Sequence, residues 1–257
     1  MNRAIRGGVL ALLLSPALAA AQDDLTFTMA VDLNYKQLTL TAVVGTIANE
    51  FKPEIWTLNV APSLSWRGFF LSAAAERSLG EGSTSGTLST AFWSDRRYKR
   101  EENSVSLGYN VWAGLAVFAG YLNNSTETNF VNTPLGSAVP TSIGRIEYAE
   151  KGPYYGLGYA HRFAKGGTLG ASVAVARAEG KLEQISPSSA STPVTTAEGD
   201  VTGTSYGLSW SAPLAGDLYY RLGYKATRYE FKFVANGIER NTKQNYDTIF
   251  LGVVKYF

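Results

Sequence analysis

The 257 residues leave room for one domain or two small ones. Lys+Arg 23 against Asp+Glu 21 gives no basic surplus for a nucleic-acid partner, and the absence of cysteine excludes disulfides and thiolate metal centres. Beyond the opening residues, no segment approaches the ~20 continuous apolar residues of a transmembrane helix, so a helical membrane protein is excluded as well.

The chain opens as a secretory leader. Arg3 and Arg6 make a positive end, Val9 to Leu14 an apolar core, and Ala19-Ala20-Ala21 before Gln22 a small-residue cleavage site. Residues 1–21 are therefore expected to be removed on export, leaving residues 22–257 as one domain. Without Arg3 and Arg6 the 23 basic residues become 21, against 21 acidic ones, so the mature net charge is about zero.

The mature chain alternates with period two, the spacing of a strand whose side chains point to opposite faces. Phe27, Met29, Val31, Leu33 and Tyr35 share one face. The apolar parity then shifts to Leu38 and Leu40, as a bulge near Lys36-Gln37 would produce. A second strand carries Trp56, Leu58, Val60, Leu64 and Trp66, and Arg67-Gly68 turns it into Phe69, Leu71, Ala73 and Ala75. Later strands obey the same rule around Val105 to Val111, Leu115 to Tyr121, Tyr155 to Phe163, Leu169 to Val175, Tyr206 to Trp210 and Leu218 to Tyr224. Short turns bearing Gly alternate with long polar stretches at about 80–101, 123–152, 179–200 and 236–245, which are expected to be loops.

The last strand, Asn245 to Phe257, alternates Ile249, Leu251 and Val253, contains Gly252, and ends on an aromatic residue. It resembles the closing strand of Gram-negative outer-membrane β-barrels, with Lys255 standing where that family usually has an apolar residue. The resemblance implies an all-β fold: a closed, antiparallel, up-and-down transmembrane barrel in the bacterial outer membrane. It implies outer-membrane lipids and lipopolysaccharide as surroundings, and recognition of the terminal strand by the barrel-assembly machinery. The count of strands is ten, with eight or twelve as alternatives, and brief turns opposite long loops match the two rims of such a barrel. Trp66, Trp112, Phe163, Trp210 and Phe257 close successive descending strands and are expected to form an interfacial girdle.

If one parity meets lipid, the other lines the lumen. Asp32, Lys36, Glu76, Arg162, Arg221 and Lys225 are the charged candidates there, either as a constriction passing small polar solutes or as a plug of ion pairs, with Glu76 facing Arg221 or Lys225. The basic run Arg96, Arg97, Lys99, Arg100 is the loop candidate for lipopolysaccharide phosphates. A narrow channel leads the functional expectations, a non-conducting surface-interaction barrel is the alternative, and an outer-membrane enzyme comes third. Ten strands also resemble the omptin-type surface proteases, whose site needs a histidine and several aspartates at the extracellular rim. His161, the single histidine, falls beside a periplasmic turn among aromatic residues, so no catalytic site is expected. No metal site and no cofactor are expected, since one histidine without cysteine assembles no common ligand set.

Overall fold

A computed structural model describes residues 25–44, 47–89, 92–164, 166–185, 194–235 and 238–257; the expected leader, residues 1–21, lies outside them. Twelve strands run in chain order among the described residues: β1 (Thr26–Val44), β2 (Ile47–Phe51), β3 (Glu54–Trp66), β4 (Phe69–Ser78), β5 (Gly82–Ser89), β6 (Phe92–Trp112), β7 (Leu115–Pro134), β8 (Ser142–Arg162), β9 (Thr168–Ile185), β10 (Val194–Ala215), β11 (Leu218–Ala235) and β12 (Ile238–Tyr256). All pairings are antiparallel, in the order β12-β11-β10-β9-β8-β7-β6-β4-β3-β1 with β2 on β1 and β5 on β6, and β12 returns to β1 to seal the ring. β3 and β2 lie end to end along one flank of β1, and β4 and β5 along one flank of β6, so the twelve segments make ten staves. At the lower rim the Phe257 amide donates to the Phe27 carbonyl at 2.9 Å and the two rings stand 5.4 Å apart. Closure is what hydrocarbon demands, because an unpaired backbone group there costs several kcal/mol.

The expected polar loops are mostly strand. β5 and the first half of β6 occupy 80–101, β7 and β8 run through most of 123–152, β9 and β10 reach to 185 and back from 194, and β12 starts at Ile238. A 20-residue stave such as β7 runs ~66 Å at ~3.3 Å per residue and, tilted at ~40°, stands ~50 Å tall, twice the ~25 Å apolar band of such barrels. About half of each stave therefore projects into water.

The burial pattern inverts where the staves leave the band. On β11 the exposed Leu222 and Tyr224 face outward, whereas further along Tyr229, Phe231 and Phe233 face inward and are buried. Arg228, Glu230 and Lys232 hold the outward positions beyond Tyr224. On β6 the outward Tyr109, Leu107 and Val105 give way to Asn103, Glu101 and Lys99, and Tyr98 above them is fully buried, while Trp93 near the strand's upper end is exposed. The same inversion explains β1. Its register against β12 runs without a break from Thr28 to Val43, so there is no bulge at Lys36-Gln37. Leu38 and Leu40 simply point inward, 0% and 3% exposed, because water rather than lipid surrounds the barrel at that height.

Inside, rings on one stave cover glycines on the next. Phe70 faces Gly108, Phe118 faces Gly156, Tyr154 faces Gly120, Tyr229 faces Gly203 and Phe250 faces Gly223, each pair directly cross-strand. Phe118 and Phe250 thus lie against the neighbouring staves. A methyl at Gly223 would meet the Phe250 ring and the Leu208 carbonyl, both at 2.3 Å. Gly223→Ala is expected to destabilise the folded barrel by ~1–3 kcal/mol through overpacking, read as a lower urea midpoint after refolding into lipid vesicles. An unchanged midpoint would show that the ring is not held against this position.

Candidate functional site

The candidate site is the barrel interior at and just above the upper edge of the apolar band. Inward side chains arrive there because strand parity fixes their direction, and the ladder sets their height. Lys36 on β1 contacts Glu76 of β4 at 2.6 Å and Glu102 of β6 at 2.5 Å. Glu102 also accepts from the Arg100 Nε at 2.7 Å. The Arg100 guanidinium donates onward to the Tyr246 hydroxyl at 2.7 Å, lies 4.2 Å from that ring's centre, and approaches Glu150 of β8 to 3.7 Å. Thr57 donates to Glu76, and Tyr246 donates to Gln244 at 2.6 Å. Burial raises the Glu150 carboxyl above the ordinary carboxylate range, and the Arg100 charge opposes that rise.

A second, lower group joins Arg221 of β11 to Asp32 of β1 at 3.2 Å, with Asn59 donating to the same carboxylate at 2.9 Å. The Arg221 guanidinium sits 5.2 Å from the Phe250 ring centre. Of the expected partners of Glu76, Arg221 is instead paired with Asp32, and Glu76 is held by Lys36. Lys225 stands close enough to Glu102 and Glu76 to feel both carboxylates. Arg162 belongs to neither group: it is the last residue of β8 and is exposed at the lower rim.

The basic run divides by parity. Arg97 and Lys99 face outward and bind Glu81 at 3.5 and 3.0 Å, and the Lys99 contact holds the Glu81 carboxyl below the usual carboxylate range. Arg96 turns its guanidinium over the Phe51 ring at 3.7 Å. Arg100, 1% exposed, is the centre of the interior network and no loop residue. Polar sequence around Arg100, Glu102, Glu150 and Gln244 hides these residues from a reading by apolar alternation, which ends the strands short of them. Carrying the parity of Leu107 and Tyr109 upward places Arg100 and Glu102 inside.

At the lower rim, Trp66, Trp112, Phe163 and Phe257 are exposed and Trp210 is half-buried, its indole donating to the Tyr220 hydroxyl at 3.2 Å. Trp112 gains its outward direction from a register shift between Asn110 and Trp112. His161 is exposed at the same level and meets Phe163 edge-on at 4.7 Å. Outside, above the apolar band, β6 to β10 form a shallow concavity of about 610 Å³ with Glu101, Glu147, Lys151, Glu179, Lys181 and Asp200 among its lining.

Removing one partner from a buried ion pair strands the other charge, at a cost of ~3–5 kcal/mol. Arg100→Ala is expected to lower unfolding stability by about that amount in urea titrations of the refolded barrel. A loss under ~1 kcal/mol would mean that water reaches the network and screens it.

No family model matches the sequence, and no curated protein does. Among solved structures, the outer membrane protease OmpT from Escherichia coli is similar with a TM-score of 0.69 at 10% identity, over 94% of this chain and 100% of that one. The translocator domain of the autotransporter NalP from Neisseria meningitidis is similar with a TM-score of 0.50 at 11% identity, over 89% of this chain and 88% of that one. The chain has the fold of the Gram-negative outer-membrane β-barrels.

Proposed function

We propose that the protein is a non-conducting outer-membrane barrel, a rigid mount that holds its water-side hairpins at the cell surface for contact with partners there. One observation carries this reading over a channel. A water column wide enough for a solute wets the side chains that line it, yet inward Leu38, Tyr98 and Leu122 are 0% exposed and Arg100, Asn124 and Thr126 1%. Buried charges of both signs, paired across the lumen, suit a plug better than a path, because each offsets the other's desolvation. Barrels this narrow are ordinarily filled by side chains.

The enzyme reading has less support. The similar Escherichia coli structure is a protease, but the single histidine here stands at the lower rim with its ring against Phe163. Catalysis needs a nucleophile or a carboxylate within hydrogen-bond reach of the imidazole, and an aromatic ring supplies neither. In this proposal residues 1–21 are cleaved on export, and the terminal strand is what the assembly machinery reads. Outward Arg97 and Lys99 stand above the apolar band, where lipopolysaccharide phosphates offer the matching charge.

Purified, refolded protein in planar bilayers tests the reading. The wild type is expected to give no steady conductance steps, and a variant combining Arg100→Ser, Glu102→Ser and Tyr246→Ala is expected to give them. Steady steps from the wild type, altered by Arg221→Ala or Glu76→Ala, would restore the channel.

A further inference from the structure

Glu150 on β8 points into the barrel with 3% exposure, directly across from Asn124 on β7 at 1% and beside Gly180 on β9. Neither oxygen of its carboxyl has a hydrogen-bond partner among the described residues, and neither has the Asn124 Oδ1. Residues directly opposite on one face of a ladder stand ~5 Å apart at their Cβ atoms, so three buried acceptors share one small space. The cation beside them is already engaged. Arg100 gives N–H groups to Glu102, Thr126 and Tyr246 at 2.7, 2.5 and 2.7 Å, and only approaches Glu150, at 3.7 Å. The Asn124 amide nitrogen donates to the Tyr229 hydroxyl at 3.3 Å.

The remaining groups that face Glu150 supply no donor. Glu102 on β6 repels a second negative charge. Tyr229 of β11 and Tyr246 of β12 are phenols that burial keeps protonated, and the Tyr246 O–H is given to Gln244. Tyr148, next above Glu150 on its own stave, interacts with Arg96 and Thr242. β7 and β9 present Asn124, Thr126 and Gly180, none of them charged. Lys36 and Lys225 act on Glu102 instead. An ionised carboxylate buried without donors is among the costliest groups to hold, and it takes up a proton rather than persist.

We propose that Glu150 is a proton-operated latch in the plug: at neutral pH it is the neutral acid, its O–H donating to the Asn124 Oδ1, and loss of that proton at higher pH strands a charge and loosens the interior. One proton turns an acceptor into a donor and satisfies a second acceptor. Below the ordinary carboxylate range the folded and unfolded chains both carry it, and the latch contributes in full. As pH rises the unfolded chain releases it first. The folding constant then falls by up to about tenfold per pH unit, until the folded group has titrated too. The proposal takes from the surface-scaffold reading only that the interior is dry at this height.

The test uses the full refolded barrel in lipid vesicles. Infrared spectra at neutral pH are expected to show the carbonyl band of a protonated carboxyl that disappears in Glu150→Gln and moves to the position of a free acid in Asn124→Leu. In urea titrations from mildly acidic to alkaline pH, the wild-type folding constant should fall about tenfold or more relative to that of Glu150→Gln. The glutamine keeps a donor for Asn124 and has no proton to lose. If Glu150→Gln fails to refold, Glu150→Asp, which keeps an acid and shifts its band, makes the assignment. No acid band traceable to Glu150, a band unmoved by Asn124→Leu, or parallel pH dependence in wild type and glutamine variant overturns the proposal. The first of these is what an Asn124 amide turned to donate to an ionised Glu150 would give. Steady wild-type conductance would remove the surface reading and leave the infrared result to decide the latch.

Discussion

Each stave passes from hydrocarbon into water part-way along its length, and the two halves obey opposite burial rules. In the lower half apolar side chains face out because lipid solvates them, and small and polar ones, with rings such as Phe118 and Phe250 laid over glycines, line the interior. In the upper half water wets the outer wall, so the apolar residues retreat inside, as in any soluble protein. On β6 and β11 the ladders to β7 and β12 continue unbroken through the change, since hydrogen bonding between strands is indifferent to which face is wet. Only the side-chain pattern records the crossing, and it does so between Tyr224 and Arg228 on β11 and between Val105 and Asn103 on β6.

The charged network sits at that crossing. Just above the lipid-facing rows the interior cannot yet be filled by the upper aromatic layer, and below it glycines and serines leave space beside the rings of Phe118 and Phe250. Lys36, Glu76, Glu102 and Arg100 occupy the height between. Their charges balance, each is in direct contact with an opposite partner, and Tyr246 and Gln244 extend the chain of donors and acceptors to β12. Satisfied networks of this kind hold elements in one arrangement more than they stabilise them. Here they tie staves from opposite sides of the ring.

Much of the barrel is legible in the residues alone. Period-two rows, an even number of staves, the terminal aromatic strand and the single misplaced histidine all come from side-chain order. The upper halves of the staves are not legible that way, because an apolar row on one fixed parity marks a strand only while the outer solvent stays the same. Where that solvent changes, the row fades and reappears on the other face, as with Tyr98 on β6 or Phe231 on β11. The shift at Leu38 is visible, but a bulge and a change of solvent leave the same trace in one strand. Partnerships across the lumen, such as Arg100 with Tyr246, depend on stave height and tilt, which alternation does not encode.

The absence of native cysteine makes the central claim directly measurable. Single cysteines placed along β11 at Leu222, Tyr224, Glu230, Phe231 and Lys232 can be offered a charged, water-soluble maleimide in intact vesicles. Labelling is expected at Glu230 and Lys232 alone: Leu222 and Tyr224 are covered by lipid, and Phe231 by the protein. Equal labelling at Phe231 and Glu230, or ready labelling at Leu222, would contradict the inversion and with it the division of each stave between two solvents.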